Sequence, residues 1–306
     1  MKTAPMQDFY GTFLIAEPGE TVDDINIDQV TQLIKDRGTI IFSGFKATKE
    51  DFDKVTDRVS PDYMNYKGGG YIRKEIGDKT DGKALLSTRY DHGREKQMTF
   101  GLPLHGEMYY IDHRPVCLWF LCVKPADDNG ETTACDGAEV YKRLPQKVKD
   151  LLNTKRLVFK RNYKDGEWQQ IYQTEDRAEA VAFANDNGLE ATFDAEGAMH
   201  TKYFTPAVHT SKWGGHKVYI NNLLTVHMQM QMGRGDTSTV WFEDDSAIPV
   251  DMMADIEAAQ NEVIYNMPAK AGDFVLMDNT RAMHGRRAFE DTEREVYLRM
   301  VRSVPF

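Results

Sequence analysis

A mainly β fold with helical decoration is what this sequence predicts. Short runs rich in β-branched and aromatic residues recur along the chain, residues 116–123 the clearest of them. Helical spacings are brief and scattered between these runs, and the regular strand–helix alternation of a parallel sheet is missing. One domain over residues 1–306 is the expected organisation, because no repeat, low-complexity tract or Gly/Pro-rich linker cuts the chain.

Residues 26–35 carry Ile27, Val30, Leu33 and Ile34 at helical spacing and stop near Gly38. A strand is expected at 39–42. Residues 48–59 read as a second helix, with Thr48 as N-cap ahead of acidic Glu50 and Asp51. The charged stretch 66–91 reads as a long loop with one strand at 84–88. Its Gly68-Gly69-Gly70 lacks the Gly-Lys-Ser/Thr ending of a phosphate-binding loop. Pro115 and Pro125 bracket the apolar run 116–123, and Trp119 and Phe120 within it favour a buried strand. The turn Asp127-Asp128-Asn129-Gly130 leads to a strand at 131–135. A helical stretch at 138–151 is interrupted or restarted by Pro145. Strands are expected at 156–163, 190–193, 201–208 and 217–221, and an alanine-rich helix at 176–185. Residues 222–236 fit neither period. A helix at 250–265 and strands at 273–277 and 295–303 complete the pattern.

Composition excludes several classes. The 306 residues are 41% hydrophobic and 28% charged, enough apolar surface for a sizeable core. Acidic residues outnumber basic ones by 48 to 38, a net charge of −10 that repels phosphate backbones, so no nucleic-acid partner is expected. The three cysteines, Cys117, Cys122 and Cys135, form no C-x-x-C pair and read as reduced thiols. The first eight residues lack a basic-then-apolar signal pattern, and no apolar run approaches the ~20 residues of a membrane span. The expected setting is the cytoplasm, with no membrane partner; no residue pattern speaks to oligomeric state.

Chemistry concentrates in His105-Gly106-Glu107 and a distant His284. Residues i and i+2 of an extended strand project from one face. A third ligand from another strand completes one triangular face of an octahedron. That is the two-histidine-one-carboxylate triad of non-haem Fe(II), which leaves three positions open. H-x-E alone occurs by chance in many chains. A serine hydrolase finds no G-x-S-x-G elbow here. A zinc hydrolase or cupin-like isomerase remains compatible with the three ligands alone; a non-catalytic binding protein is the other alternative, but it would usually have lost a ligand, and none is missing here.

The flanking sequence is more specific. Leu104-His105-Gly106-Glu107-Met108-Tyr109-Tyr110 is followed by Pro115 and Leu118-Trp119-Phe120-Leu121-Cys122. Lys124-Pro125-Ala126 and Asn129-Gly130-Glu131-Thr132 come next. Further on stand Gly272-Asp273-Phe274-Val275-Leu276-Met277-Asp278-Asn279, Met283-His284-Gly285-Arg286-Arg287 and Arg294. In this order and spacing the chain resembles the taurine-dioxygenase family of Fe(II)/2-oxoglutarate oxygenases, including its clavaminate-synthase-like relatives, from about residue 38 to 302.

The resemblance implies a double-stranded β-helix, or jelly-roll, core. It implies His105, Glu107 and His284 as ligands of Fe(II), and 2-oxoglutarate and O2 as co-substrates. Arg294 matches the arginine that clamps the far carboxylate of 2-oxoglutarate, and Thr132 the threonine that hydrogen-bonds the same group. Arg299 is a rival to Arg294. Alternation places Arg294 with apolar Val296 and Leu298, and Arg299 with Glu295 and Tyr297 on a face expected to point outward, as a structural ion-pair residue. Arg73, Ser87 and Thr88 lie where relatives place substrate-contacting loops. Asn221, Asn222 and His227 lie where relatives have an Asn-rich strand end near the site; His227 reads as a pocket or core histidine, not a fourth ligand. Asp136, Asp278 and Asn279 are expected to fix turns and support the ligands, while Arg286 and Arg287 have no assigned role.

A halogenase of this fold frees a halide position by replacing the carboxylate ligand with a small residue; Glu107 fills that position. Hydroxylation of an unactivated C–H bond is therefore expected, with desaturation, epoxidation or cyclisation as other outcomes of the same chemistry. Glutamate in H-x-E, in place of aspartate, resembles the amino-acid and clavam-type hydroxylases. An amino acid or its derivative is the first expectation for the small-molecule substrate, and a small sulfonate or other carboxylate the second.

Overall fold

The architecture is that of a computed structural model describing residues 1–91, 99–234 and 237–306. Its largest sheet runs, in spatial order, Lys2–Pro5, Thr12–Ile15, Thr39–Ser43, Phe274–Asp278, Cys117–Lys124, Glu295–Ser303, Leu85–Asp91 and Arg73–Ile76. Asp62–Tyr63 adds to it beside Glu295–Ser303. Thr12–Ile15 and Thr39–Ser43 pair in parallel; the other pairs of this sheet are antiparallel. A smaller sheet runs Tyr265–Asn266, Thr132–Asp136, Ala282–Arg286, Leu102–His105. A third contains Leu189–Phe193, Met199–Thr205, Leu157–Tyr163 and Ser238–Phe242.

Period-two alternation splits the central strands between two cores. From Cys117–Lys124, Cys117, Trp119 and Leu121 join Ile40, Phe42, Phe274 and Leu276 on one face. The helices Ile27–Arg37 and Lys49–Val59 cover that face with Val30, Ile34, Phe52, Val55 and Val59. Leu118 and Phe120 point the other way and share a core with Ala134, Cys135, Ala282 and Met283 of the smaller sheet. The layer order is thus helices, large sheet, small sheet.

Both helices follow their local signals. Asn26 accepts from the Gln29 N–H and Gly38 ends the first helix in the left-handed region. Thr48 and Asp51 form a reciprocal capping box on the second. Pro145 separates two helices, Gly137–Arg143 and Gln146–Thr154.

Several expectations are corrected. The stretch 66–91 is not a loop with one strand: Arg73–Ile76 and Leu85–Asp91 pair as antiparallel neighbours. Residues 222–236, of which 235 and 236 lie outside the described residues, contain the helix Leu223–Gln229. Ser238–Phe242 and the two N-terminal strands were not expected as elements, and Ala282–Arg286 was expected only as a strand of unstated bounds carrying the third ligand. The face carrying Arg299 is not outward: the helix Lys49–Val59 lies over it. Arg299 is 4% exposed, pairs with Asp53 at 2.7 Å and donates to Thr56 and the Lys83 carbonyl. Its expected ion-pair role holds, in a buried layer.

Candidate active site

His105 ends the strand Leu102–His105, and its register partner on the next strand is His284. The two imidazoles are 4.4 Å apart between ring centres. Glu107 does not continue the strand, as simple i, i+2 geometry predicts. The chain turns out after His105, and Met108 adopts a positive φ of 60°. What brings the carboxylate back is Asn279. Its Oδ1 accepts from the Glu107 N–H at 2.9 Å, and its Nδ2 donates to the Glu107 and Pro115 carbonyls. Asn222 accepts from the Tyr109 N–H, which fixes the next turn. The glycines after the histidines are required by close packing. A Cβ on Gly106 meets the Tyr109 ring at 2.3 Å, and one on Gly285 meets the Leu102 carbonyl at 2.5 Å.

Ligand atoms of His105, Glu107 and His284 all lie within 4.8 Å of one another, and all three residues are buried. One ion at the usual ~2.0–2.2 Å reaches such a set. Glu107 Oε2 stands 3.4 Å from His284 Nε2, and neither atom has a hydrogen-bond partner of good geometry. Two buried polar atoms facing each other unsatisfied are what a divalent cation resolves. His105 Nδ1 donates to the Pro103 carbonyl at 2.8 Å, so its Nε2 keeps the lone pair a metal needs. Burial, with His284 alongside, lowers His105 to about 4. Burial pushes the Glu107 carboxyl up, but Arg73 and the His284 imidazole outweigh it and hold the group at about 2. Near neutral pH, His105 and Glu107 therefore stand in their ligand forms.

Arg73 approaches Glu107 to 3.9 Å and its guanidinium lies over the Tyr66 ring. Thr132 and Arg294 lie together: Arg294 Nη2 donates to Thr132 Oγ1 at 3.2 Å and Nε to the Gly130 carbonyl at 2.8 Å. Arg294 is 3% exposed, and burial lowers its pKa to about 10. Both residues line a cavity of about 590 Å³ that the triad itself does not line. Phe120 connects the two, since its ring forms part of the cavity wall and sits 5.2 Å from the His284 ring.

Other candidates fall elsewhere. Ser87 pairs with Tyr297 across the large sheet and donates to Glu295, on the face opposite Val296 and Leu298. This corrects its expected place at the substrate. Asn221 uses its amide locally, donating to the Ala207 carbonyl and accepting from the Leu223 N–H, while its backbone carbonyl receives the Gly106 N–H. It supports the ligand loop. Thr88 accepts from the Val296 N–H. His227 lies on the helix Leu223–Gln229 with Arg286 and Arg287 along an outer groove of the small sheet, away from the triad. Asp136 forms a buried pair with Arg281 and caps the following helix, and Asp278 accepts from Thr280.

The tyrosines beside the triad were not singled out from sequence. Tyr66 and Tyr110 hydroxyls meet at 3.0 Å, and Tyr110 carries the Arg161 guanidinium 3.7 Å from its ring centre. One signal was available: Arg161 occupies an inward phase of a strand whose other inward residues are Leu157, Phe159 and Tyr163.

The chain is similar to known proteins over most of its length. The chain is 24% identical over 277 residues to a clavaminate synthase-like protein of Arabidopsis thaliana, covering 86% of this chain and 81% of the relative. It is 20% identical over 303 residues to a dapdiamide synthesis protein of Enterobacter agglomerans, covering 92% and 89%. Among solved structures, PvcB of Pseudomonas aeruginosa superposes with a TM-score of 0.58 at 15% identity, over 98% of this chain and 90% of that one. PvcB is described as an Fe, alpha-ketoglutarate dependent oxygenase from an isonitrile synthetic pathway. The model of the taurine catabolism dioxygenase TauD, TfdA family matches residues 4–302. With its match running through both histidines, Glu107, Thr132 and Arg294, the chain belongs to the TauD, TfdA family of dioxygenases.

Proposed function

We propose that this dioxygenase, whose cofactors are iron and 2-oxoglutarate, hydroxylates an unactivated C–H bond of an amino acid or amino-acid-derived small molecule. The observation that carries the reading is the unsatisfied Glu107–His284 pair beside His105, one phenylalanine away from a cavity with a buried arginine. Bound iron supplies the oxidising chemistry, coupling O2 reduction to decarboxylation of 2-oxoglutarate and oxidation of the substrate. His105, Glu107 and His284 would hold the metal, a three-residue set of the kind that keeps coordination positions open for co-substrates. Arg294 and Thr132 take the far carboxylate of 2-oxoglutarate, the planar fork meeting two oxygens at once. Phe120 keeps the passage between them apolar and excludes water. Glu107 occupies the position a halide needs, which favours hydroxyl transfer. A zinc hydrolase has no use for a buried Arg294–Thr132 pair at this place.

The large and small sheets sharing one core support a double-stranded β-helix over a single domain. No helix among the described residues is long and apolar enough to cross a membrane. The cysteines are all free and buried, which supports the reducing setting of the cytoplasm. The deciding experiment is a succinate-release screen with Fe(II), 2-oxoglutarate and a panel of amino acids and small carboxylates. Amino-acid-stimulated succinate with a hydroxylated product is expected. Turnover independent of 2-oxoglutarate overturns the mechanism, and stimulation confined to sulfonates overturns the substrate class.

A further inference from the structure

We propose that Arg161 is the receptor for a carboxylate carried by the organic substrate. The inference rests on the oxygenase reading only in identifying that ligand as the substrate. Arg161 lies on the strand Leu157–Tyr163, is 5% exposed and has no carboxylate within ion-pair distance among the described residues. Its Nε is buried without a hydrogen-bond partner. Directly opposite on the neighbouring strand, Ser238 is also buried, and its Oγ likewise lacks a partner. Both side chains line a cavity of about 80 Å³ together with Gly70, Tyr71 and Gln229.

A buried guanidinium without an anion is costly. The Tyr110 ring at 3.7 Å offsets part of that cost and fixes the plane of the fork. Gly70 completes the enclosure: a Cβ there falls 2.4 Å from Arg161 Nη1, so a side chain at this position would displace the guanidinium from its present place. Gly70, the last residue of the run Gly68-Gly69-Gly70, therefore lies on the rim of an arginine pocket.

A chain of aromatic and charged contacts links Arg161 to the metal site. Tyr110 follows Glu107 by three residues, its hydroxyl meets that of Tyr66, and the Tyr66 ring carries the Arg73 that approaches Glu107. Space decides the ligand class. At ~10–15 Å³ per water-sized position, the cavity takes a head group and a carbon or two, not a whole substrate. A planar two-oxygen head matches the fork and leaves an edge for Ser238.

The test needs neither metal nor turnover. Propionate is titrated into the full chain while the Arg161 Nε–H resonance is followed by NMR, with propionamide as the neutral isostere and sulfate and phosphate as bulkier anions. The resonance is identified by its loss in Arg161→Gln and Arg161→Lys. Saturable movement with propionate and none with propionamide is expected. Read by titration calorimetry, Arg161→Gln should weaken propionate binding at least about thirtyfold, and Arg161→Lys less. No movement with propionate, or equal movement with propionamide, overturns the receptor; tighter binding of sulfate or phosphate overturns the carboxylate. The wild-type titration decides even where a variant does not fold. Absence of 2-oxoglutarate-dependent succinate, by contrast, sinks the oxygenase reading and leaves this result standing.

Discussion

His105 and His284 are directly paired residues of adjacent antiparallel strands, their rings 4.4 Å apart. A cross-strand pair is the closest approach a sheet gives two side chains. The smaller sheet therefore sets the histidine spacing, and only Glu107 has to be steered in from a turn.

Removing either histidine should empty the site without unfolding the chain. His105→Ala and His284→Ala are expected to lower Mn(II) or anaerobic Fe(II) affinity by more than the ~10–100-fold that loss of a supporting partner costs. Calorimetric metal titration measures this, with circular dichroism as the check on folding. Wild-type affinity in either variant refutes the triad.

Asn279→Ala tests the steering. Its amide is the partner of the Glu107 N–H and carbonyl and of the Pro115 carbonyl. The variant should lose metal affinity by ~10–100-fold although no ligand is touched. It should also be destabilised by roughly 1–3 kcal/mol, from buried backbone groups left unpaired. Urea unfolding and metal titration read the two effects separately.

The two arginines of the last strand region should part company. Arg294→Leu removes a charged partner of a buried carboxylate, at ~2–5 kcal/mol, so the KM for 2-oxoglutarate should rise at least about thirtyfold. Thr132→Val should do less, about 1.5–3 kcal/mol for one hydrogen bond to a charged group. Arg299→Leu should leave that KM near wild type and cost roughly 1–3 kcal/mol of stability. The cost stays below that of a fully enclosed pair because Asp53 keeps 31% of its side chain exposed. A large KM effect in Arg299→Leu alone would reverse the assignment.

His209 gives the apoprotein an acid-sensitive step. Burial first, and Arg114 next, lower its pKa from 6.5 to about 4. The ring stands edge-on to Tyr109, with Nε2 shut off from solvent. Between these two values the unfolded chain binds the proton and the folded chain does not. Its contribution is thus complete above pH 6.5 and is lost as pH falls toward 4. His209→Phe should flatten the stability–pH slope there by up to about 1.36 kcal/mol per unit. Denaturant melts from pH 4 to 7 provide the measurement, and an unchanged slope contradicts it.

Legibility followed the range of the interactions. Helix starts and stops were visible because Thr48, Asp51, Asn26 and Gly38 act within one turn of their targets. The strand Ala282–Arg286 was not, because Ala, Met, His, Gly and Arg carry no strand pattern. It is a strand because Thr132–Asp136 and Leu102–His105 flank it. Asn279 looked like a turn residue with a supporting role, but its partner on Glu107 is 172 residues away. Arg299 was assigned to the correct face, but alternation along one strand says nothing about what covers that face. Ser87 was misplaced for a related reason: the resemblance put it in a substrate-contacting segment, whereas pairing with Tyr297 turned it from the site.

The wide separation of Glu107 from the residue that steers it bears on how the protein is made. At ~5–20 residues per second, the 172 residues between them take roughly 9 to 34 s to synthesise. Throughout that interval the growing chain carries only two of the three ligand residues, His105 and Glu107. The three-ligand set would be complete only once the strand bearing His284 has been laid between its two neighbours, so assembly of the metal centre is tied to completion of the small sheet.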